Sequence, residues 1–144
     1  MRKRSDIFTE LEIKIPFFDV DSLHIVWHGN YIKYFEMARC QLLSLLNYDY
    51  NIMREKGYMW PVVGVEVKYI QPCLFDMDVV IRADLVEWES KLKVNYLVYD
   101  KKTGTRLTRG STTQVAVSLE TREMQFVTPE SWQNAVKQYL EAKA

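Results

Sequence analysis

Cysteine is scarce in this chain, and glycine and proline are nearly as rare. Cys40 and Cys73 are the two cysteines in 144 residues. They are too few and too far apart for a disulfide framework or a paired C-x-x-C zinc pattern, which leaves reduced structural thiols. Five glycines and four prolines lie scattered, with no linker, repeat or low-complexity tract, so one continuous domain over residues 1–144 is expected. Neither sign of charge prevails: 19 Lys and Arg balance 19 Asp and Glu. That balance provides no global positive field to draw nucleic acid or an anionic membrane. No run approaches the ~18 continuous apolar residues of a membrane span. The charged opening MRKRSD leads into alternating, acid-bearing IFTELE rather than the apolar core of a signal peptide. A cytoplasmic protein that binds neither nucleic acid nor membrane is expected. Also missing are G-x-S-x-G, the P-loop, G-x-G-x-x-G and H-E-x-x-H, which disfavours the familiar hydrolase, nucleotide and zinc-protease routes, and no metal or cofactor is expected.

What is present is apolar material in two periodicities, 48% of the chain being hydrophobic and 13% aromatic. Over residues 8–16, Leu11, Ile13 and Ile15 alternate with Glu10, Glu12 and Lys14, the period of a half-buried strand, and Pro16 ends it. From residue 31 to 46, Tyr31, Phe35, Ala38, Leu42 and Leu45 recur at spacings of four and three, one stripe of a helix ~24 Å long at ~1.5 Å per residue. Ile32, Tyr34, Met37, Leu43 and Leu46 widen the stripe, so the helix is expected to be mostly buried. A short helix over 48–56 would end at Gly57, a residue suited to the C′ position. Period two then returns in residues 63–69, 79–85 and 92–98. A hairpin turn follows at 100–104, then one long Thr- and Val-rich strand over 105–119. Thr128 as N-cap and Pro129 at the first helical position open a last helix through Leu140. A buried helix followed by consecutive antiparallel strands implies an α+β layer in which a curled sheet wraps the helix. The uncovered face or edge of such a sheet is expected to pair with a second copy through a two-fold contact.

Polar, reactive groups concentrate just before that long helix, in residues 18–31. The first turn of a helix offers N–H groups without intrahelical partners and the positive end of the macrodipole. A carbonyl oxygen turning negative there would gain ~3–4 kcal/mol from one well-placed donor, and Gly29 allows close approach. Asp19 and Asp21, two apart in an extended segment, would point the same way, and each raises the other's affinity for a proton. The alternative reading makes both of them Asx-turn or capping residues. His28 between Trp27 and Tyr31 reads equally as a hydrogen-bonded structural histidine, as does His24.

The run FDVDSLHIVWHGNYIKYFEMAR, residues 18–39, resembles the signature of hotdog-fold acyl-CoA thioesterases of the 4-hydroxybenzoyl-CoA thioesterase-like group, and YIQPCLFD, residues 69–76, extends the likeness. The resemblance covers residues 8–120. It implies a curled antiparallel sheet around a long central helix, and hydrolysis of an acyl-CoA to free acid and CoA without a cofactor. It implies Asp21 as the catalytic carboxylate, nucleophile or general base, and the backbone N–H of His28 or Gly29 as the group that polarises the thioester carbonyl. Where the family often has a small residue, usually glycine, this sequence has His24, a departure that bears on acyl specificity more than on reaction type.

In similar enzymes basic residues hold the phosphates of coenzyme A. Lys91 and Lys93, alternating with Leu92 and Val94, are the candidates here, and they read equally as a solvated strand face. Trp27, Tyr31, Met59 and Trp60 are candidates to contact the acyl group. Glu36 and Arg39, three apart on the helix, form an expected structural ion pair. The partner is then an acyl-CoA, or an acyl carrier protein bearing the same thioester, and the chain a homodimer or homotetramer. A hotdog dehydratase would use a His and an acid in other motifs. A non-catalytic acyl-thioester-binding module would have no need of Asp21.

Overall fold

A computed structural model describes residues 4–143. Strand β1 (Phe8–Lys14) is followed by a one-turn 3-10 helix (Phe17–Asp19), then by the long helix α1 (Asn30–Leu45) and the short α2 (Tyr50–Glu55). Strands β2 (Tyr58–Met59), β3 (Val62–Tyr69), β4 (Asp78–Glu87), β5 (Leu92–Asp100), β6 (Arg106–Gln114) and β7 (Val117–Ser118) come next, before α3 (Glu130–Lys143). The main sheet is antiparallel in the order β1-β4-β5-β6-β3, and β2 and β7 form a separate pair. This is the hotdog architecture: one sheet laid around α1, which contacts β1, β4, β5 and β6.

The seating of α1 depends on one aromatic slot. The Phe35 ring stacks on Tyr96 of β5 with centroids 4.4 Å apart and planes 7° from parallel. On β6, the place where Gly110 would carry a Cβ lies 2.6 Å from Phe35 and 2.4 Å from the Glu66 carbonyl of β3. Only a residue without a side chain admits both the ring and the neighbouring strand. The buried stripe of α1 is Tyr31, Tyr34, Phe35, Ala38, Arg39, Leu42 and Leu43. Ile32, Met37 and Leu45, expected on that stripe, are exposed, and a charged residue takes their place. Arg39 is buried because its guanidinium is met by Tyr50, Thr112 and Glu36, which gives the charge the hydrogen bonds that burial demands.

Helix ends follow residue chemistry. Asp49 caps α2 by accepting from the Ile52 N–H at 3.0 Å, and Gly57, just past its end, takes φ +94°. Thr128 does not cap α3: its hydroxyl donates to the Trp88 and Glu89 carbonyls, tying the helix start to the β4–β5 connection. The strand expected over 105–119 is broken at residues 115–116. Across the ladder stands Pro61, which has no N–H to donate, so β3 begins at Val62 and β6 stops opposite it at Gln114. The Gln114 side chain fills the gap by donating to the Trp60 carbonyl, and β7 resumes against β2.

Between β1 and α1 the chain makes a tight hairpin. Asp21 N–H donates to the Ile25 carbonyl and His24 N–H to the Asp21 carbonyl, both at 2.9 Å, beneath a Val20–Val26 bridge. His24 sits at φ +62°, where glycine is the comfortable residue. Two substitutions at glycine-type positions should therefore move stability in opposite directions. Gly110→Ala is expected to lower it by about 1–3 kcal/mol through overpacking. His24→Gly relieves ~1–2 kcal/mol of left-handed strain against ~0.4–1 kcal/mol of added unfolded-state freedom, a net gain of about 0.5–1 kcal/mol. Urea melts of both variants check the two signs.

Candidate active site

The two aspartates of the loop go separate ways. The 3-10 turn ends at Asp19 and rotates its side chain into the protein, where it is 3% exposed. There its carboxylate accepts from Lys33 Nζ at 2.6 Å and from Tyr34 Oη at 2.7 Å. The expectation that Asp19 and Asp21 share a direction is corrected for this reason: the segment is not extended at residues 17–19. Lys33 meets the Asp19 charge, so Asp19 does not act on Asp21 as a bare like charge. Asp21 is half-buried. One of its oxygens accepts the Leu23 N–H at 2.8 Å, an Asx-turn, and the other takes no hydrogen bond among the described residues.

Helix α1 starts behind this carboxylate without a side-chain cap, with Gly29 as N-cap at φ −69°. Asn30, which could have capped it, instead turns its amide back to the Asp19 carbonyl at 2.8 Å. Among the described residues the His28 and Gly29 N–H groups have no protein acceptor, so two donors at the positive end of α1 stay free for another oxygen. What lies close against Gly29 is Trp27: a Cβ there would fall 2.2 Å from its ring, which is 52% exposed. The Trp27 and His28 rings lie 4.9 Å apart, and Tyr69 Oη donates to the His28 carbonyl at 2.9 Å, fixing that peptide from the end of β3.

These parts border a cleft of about 300 Å³ lined by Asp21, Ile25, Val26, His28 and Tyr31 on one side and Tyr69, Ile70, Gln71 and Pro72 on the other. Tyr31 is buried and accepts the Cys73 N–H at 3.1 Å. Burial holds its phenol well above the usual range. Burial likewise pushes the Cys73 thiol up to about 11, so this sulfur stays protonated and is a poor nucleophile near neutral pH. Cys40 is exposed on α1. Among the described residues no group of three His, Cys, Asp or Glu side chains is placed to hold a metal ion. No helix there is long and apolar enough to cross a membrane.

The structure thus brings Asp21, His28 and Tyr31 to one cleft, with Gly29 and Trp27 beside it. It does not bring Lys91 and Lys93 there in the same chain. Lys93 lies five positions before Val98, the β5 residue whose register runs through Thr108 to Tyr69. At ~3.4 Å per residue that is ~17 Å along the sheet. Lys91 precedes β5 and pairs with Glu87 at 3.8 Å. Trp60 is buried with Tyr48 and Trp132, away from the cleft. The wall from Tyr69 to Pro72 belongs to the YIQP stretch of the resemblance but has no local signal of a role: strand alternation does not show that the chain after β3 turns towards the loop.

The model of the thioesterase-like superfamily matches residues 15–140. A Bacillus subtilis protein named "Putative acyl-CoA thioesterase YneP" is 28% identical over 90 residues, 62% of this chain and 65% of that protein, just under two thirds of its length. Among solved structures, a DHNA-CoA thioesterase from Staphylococcus aureus superimposes with a TM-score of 0.79 at 22% identity, over 94% of this chain and 93% of that one. A 1,4-dihydroxy-2-naphthoyl-CoA thioesterase from Synechocystis gives 0.80 at 17% identity, over 90% and 96%. The family match over most of the chain and the shared hotdog architecture agree, and this chain belongs to the thioesterase-like superfamily.

Proposed function

We propose that this chain is an acyl-CoA thioesterase in which Asp21 is the nucleophile or general base and the start of α1 is the oxyanion site. One observation carries the proposal: a carboxylate with an unshared oxygen lines the same cleft as His28 and Tyr31, which flank the uncapped start of α1. Superfamily membership and the names of its relatives support the substrate class.

With Asp21 as base, its free oxygen takes a proton from water as the water oxygen bonds to the thioester carbonyl carbon. With Asp21 as nucleophile, that oxygen itself bonds to the carbon, and water later cleaves the mixed anhydride. In either route the carbonyl oxygen becomes negative and is met by the His28 or Gly29 N–H, a donor worth a factor of about 10²–10³ in kcat. The carbon–sulfur bond then breaks, sulfur departs as thiolate, and the products are acid and thiol. A thiolate leaves readily, so the scheme needs no strong general acid. An acyl carrier protein would present the same thioester, and the panel described below separates the two.

The remaining parts of the proposal concern a second copy. β3 is an edge strand whose Val62, Val63 and Val65 are exposed. Antiparallel pairing of two such edges would lay the cleft end of one chain beside the Val62 end of the other. That end shares its register row with Gln114 and Leu92, next to Lys91 and Lys93. In that homodimer, or a homotetramer built from it, the lysines of one copy reach towards the CoA phosphates held by the other.

Asp21→Asn is expected to cut thiol release from acyl-CoAs by about 10²–10⁴-fold with substrate binding retained. The assay is a panel of aromatic, short-chain and long-chain acyl-CoAs with acyl carrier protein thioesters alongside; a folded variant with wild-type turnover removes Asp21 from the mechanism. Replacing Lys91 and Lys93 together by Ala should raise KM for CoA thioesters severalfold with kcat nearly unchanged, and an unchanged KM would return both to the solvated strand face.

A further inference from the structure

The reaction proposed above needs Asp21 and the His28–Gly29 N–H groups at a fixed separation, yet they sit on two different arms of the loop. Residues 19–21 descend from β1, and residues 26–30 run into α1. What joins the arms is concentrated on Asp19. Its backbone carbonyl accepts from the Trp27 N–H at 3.1 Å and from Asn30 Nδ2 at 2.8 Å. Its carboxylate accepts from Lys33 Nζ and Tyr34 Oη, both on α1. One buried residue, two positions from Asp21, thus takes four hydrogen bonds, all from the arm that carries the N–H donors.

We infer that Asp19 is a positioning residue that sets the distance between the Asp21 carboxylate and the oxyanion N–H groups, acting through Lys33 and Tyr34; this rests on the hydrolase reading of the site. The geometry suits the task. Lys33 and Tyr34 are adjacent residues where the first turn of α1 passes into the second, so two bonds to one carboxylate fix both the height and the rotation of the helix start relative to residue 19. Burial, then the Asp19 hydrogen bond, holds the Tyr34 phenol above its ordinary range, so it remains a donor wherever Asp19 is ionised. The Asn30 amide nitrogen is committed to the same residue, while glycine at the N-cap supplies no side-chain acceptor, so the His28 and Gly29 N–H groups stay open. Asp19 does not line the cleft, so it is not expected to touch substrate.

Asp19→Asn keeps the size of the side chain and removes its charge. The expected result is a fall in kcat for thiol release on the order of tenfold to a hundredfold, the scale of a misplacement of about 1 Å, with KM within about twofold of wild type. Lys33→Met should lose kcat in the same sense and Lys33→Arg should recover it, while Tyr34→Phe should give a smaller loss. Hydrogen exchange at the Trp27 and Asn30 amides should quicken in Asp19→Asn on the order of tenfold. A folded Asp19→Asn with wild-type kcat, or one whose KM rises while kcat holds, overturns the inference. If Asp19→Asn does not fold, the Lys33 and Tyr34 variants decide by the same kcat and KM criteria. If wild type releases no thiol from any panel member, the hydrolase reading fails by itself, and unchanged exchange at Trp27 and Asn30 in Asp19→Asn would separately sink the positioning role.

Discussion

Everything in this structure hangs from the contact between Phe35 and the sheet. The ring has a flat partner in Tyr96 and an empty place at Gly110, and those two features come from adjacent strands held in register by their ladder. Because protein interiors are close-packed, a helix seated by such a slot has little freedom to slide or roll. Tyr31, one turn towards the N-terminus, and Tyr34, next to Phe35, are buried on the same helix, and they reach Cys73 and Asp19 with the rotation that the Phe35 slot gives it. The loop that carries Asp21 is therefore referenced to the core rather than to its own backbone alone.

Charge is distributed accordingly. Asp19 has a cation and a phenol, Arg39 has a carboxylate and two hydroxyls, and the Tyr31 phenol and Cys73 thiol are kept neutral by burial. Asp21 is the one carboxylate among the residues that line the cleft, and one of its oxygens takes no hydrogen bond among the described residues. Such an arrangement leaves one carboxylate oxygen open by satisfying or neutralising its neighbours, which is a matter of hydrogen-bond supply and desolvation rather than of unusual residue types.

Much of this could be read in the amino-acid order. β1, α1, the C′ glycine at residue 57 and the hairpin closed at Gly104 follow local rules of periodicity and turn chemistry, and the loop ahead of α1 stood out because polar groups cluster there. What failed had long-range causes. Arg39 was legible as the ion-pair partner of Glu36, but its burial depends on Tyr50 and Thr112, partners 11 and 73 residues away that helical periodicity does not show. The strand over 105–119 breaks opposite a proline that precedes β3, 54 positions away from Val115 in the chain and invisible to local periodicity. Asp19 and Asp21 part company over a single 3-10 turn, too short to leave a periodic signal. The contact of Tyr69 with the His28 carbonyl joins residues 41 apart, which strand alternation over 63–69 does not show.

The buried thiol of Cys73 sets a chemical boundary on the whole assembly. An unfolded chain would give up that proton near pH 9, whereas the folded one keeps it until about 11. Its contribution to stability is complete below pH 9 and is lost as the pH climbs through that window. The phenols of Tyr31 and Tyr34, also shifted upward, extend the same trend from their ordinary value of 10 onwards. The buried groups packed behind the cleft are thus also the part of the molecule that alkali undermines.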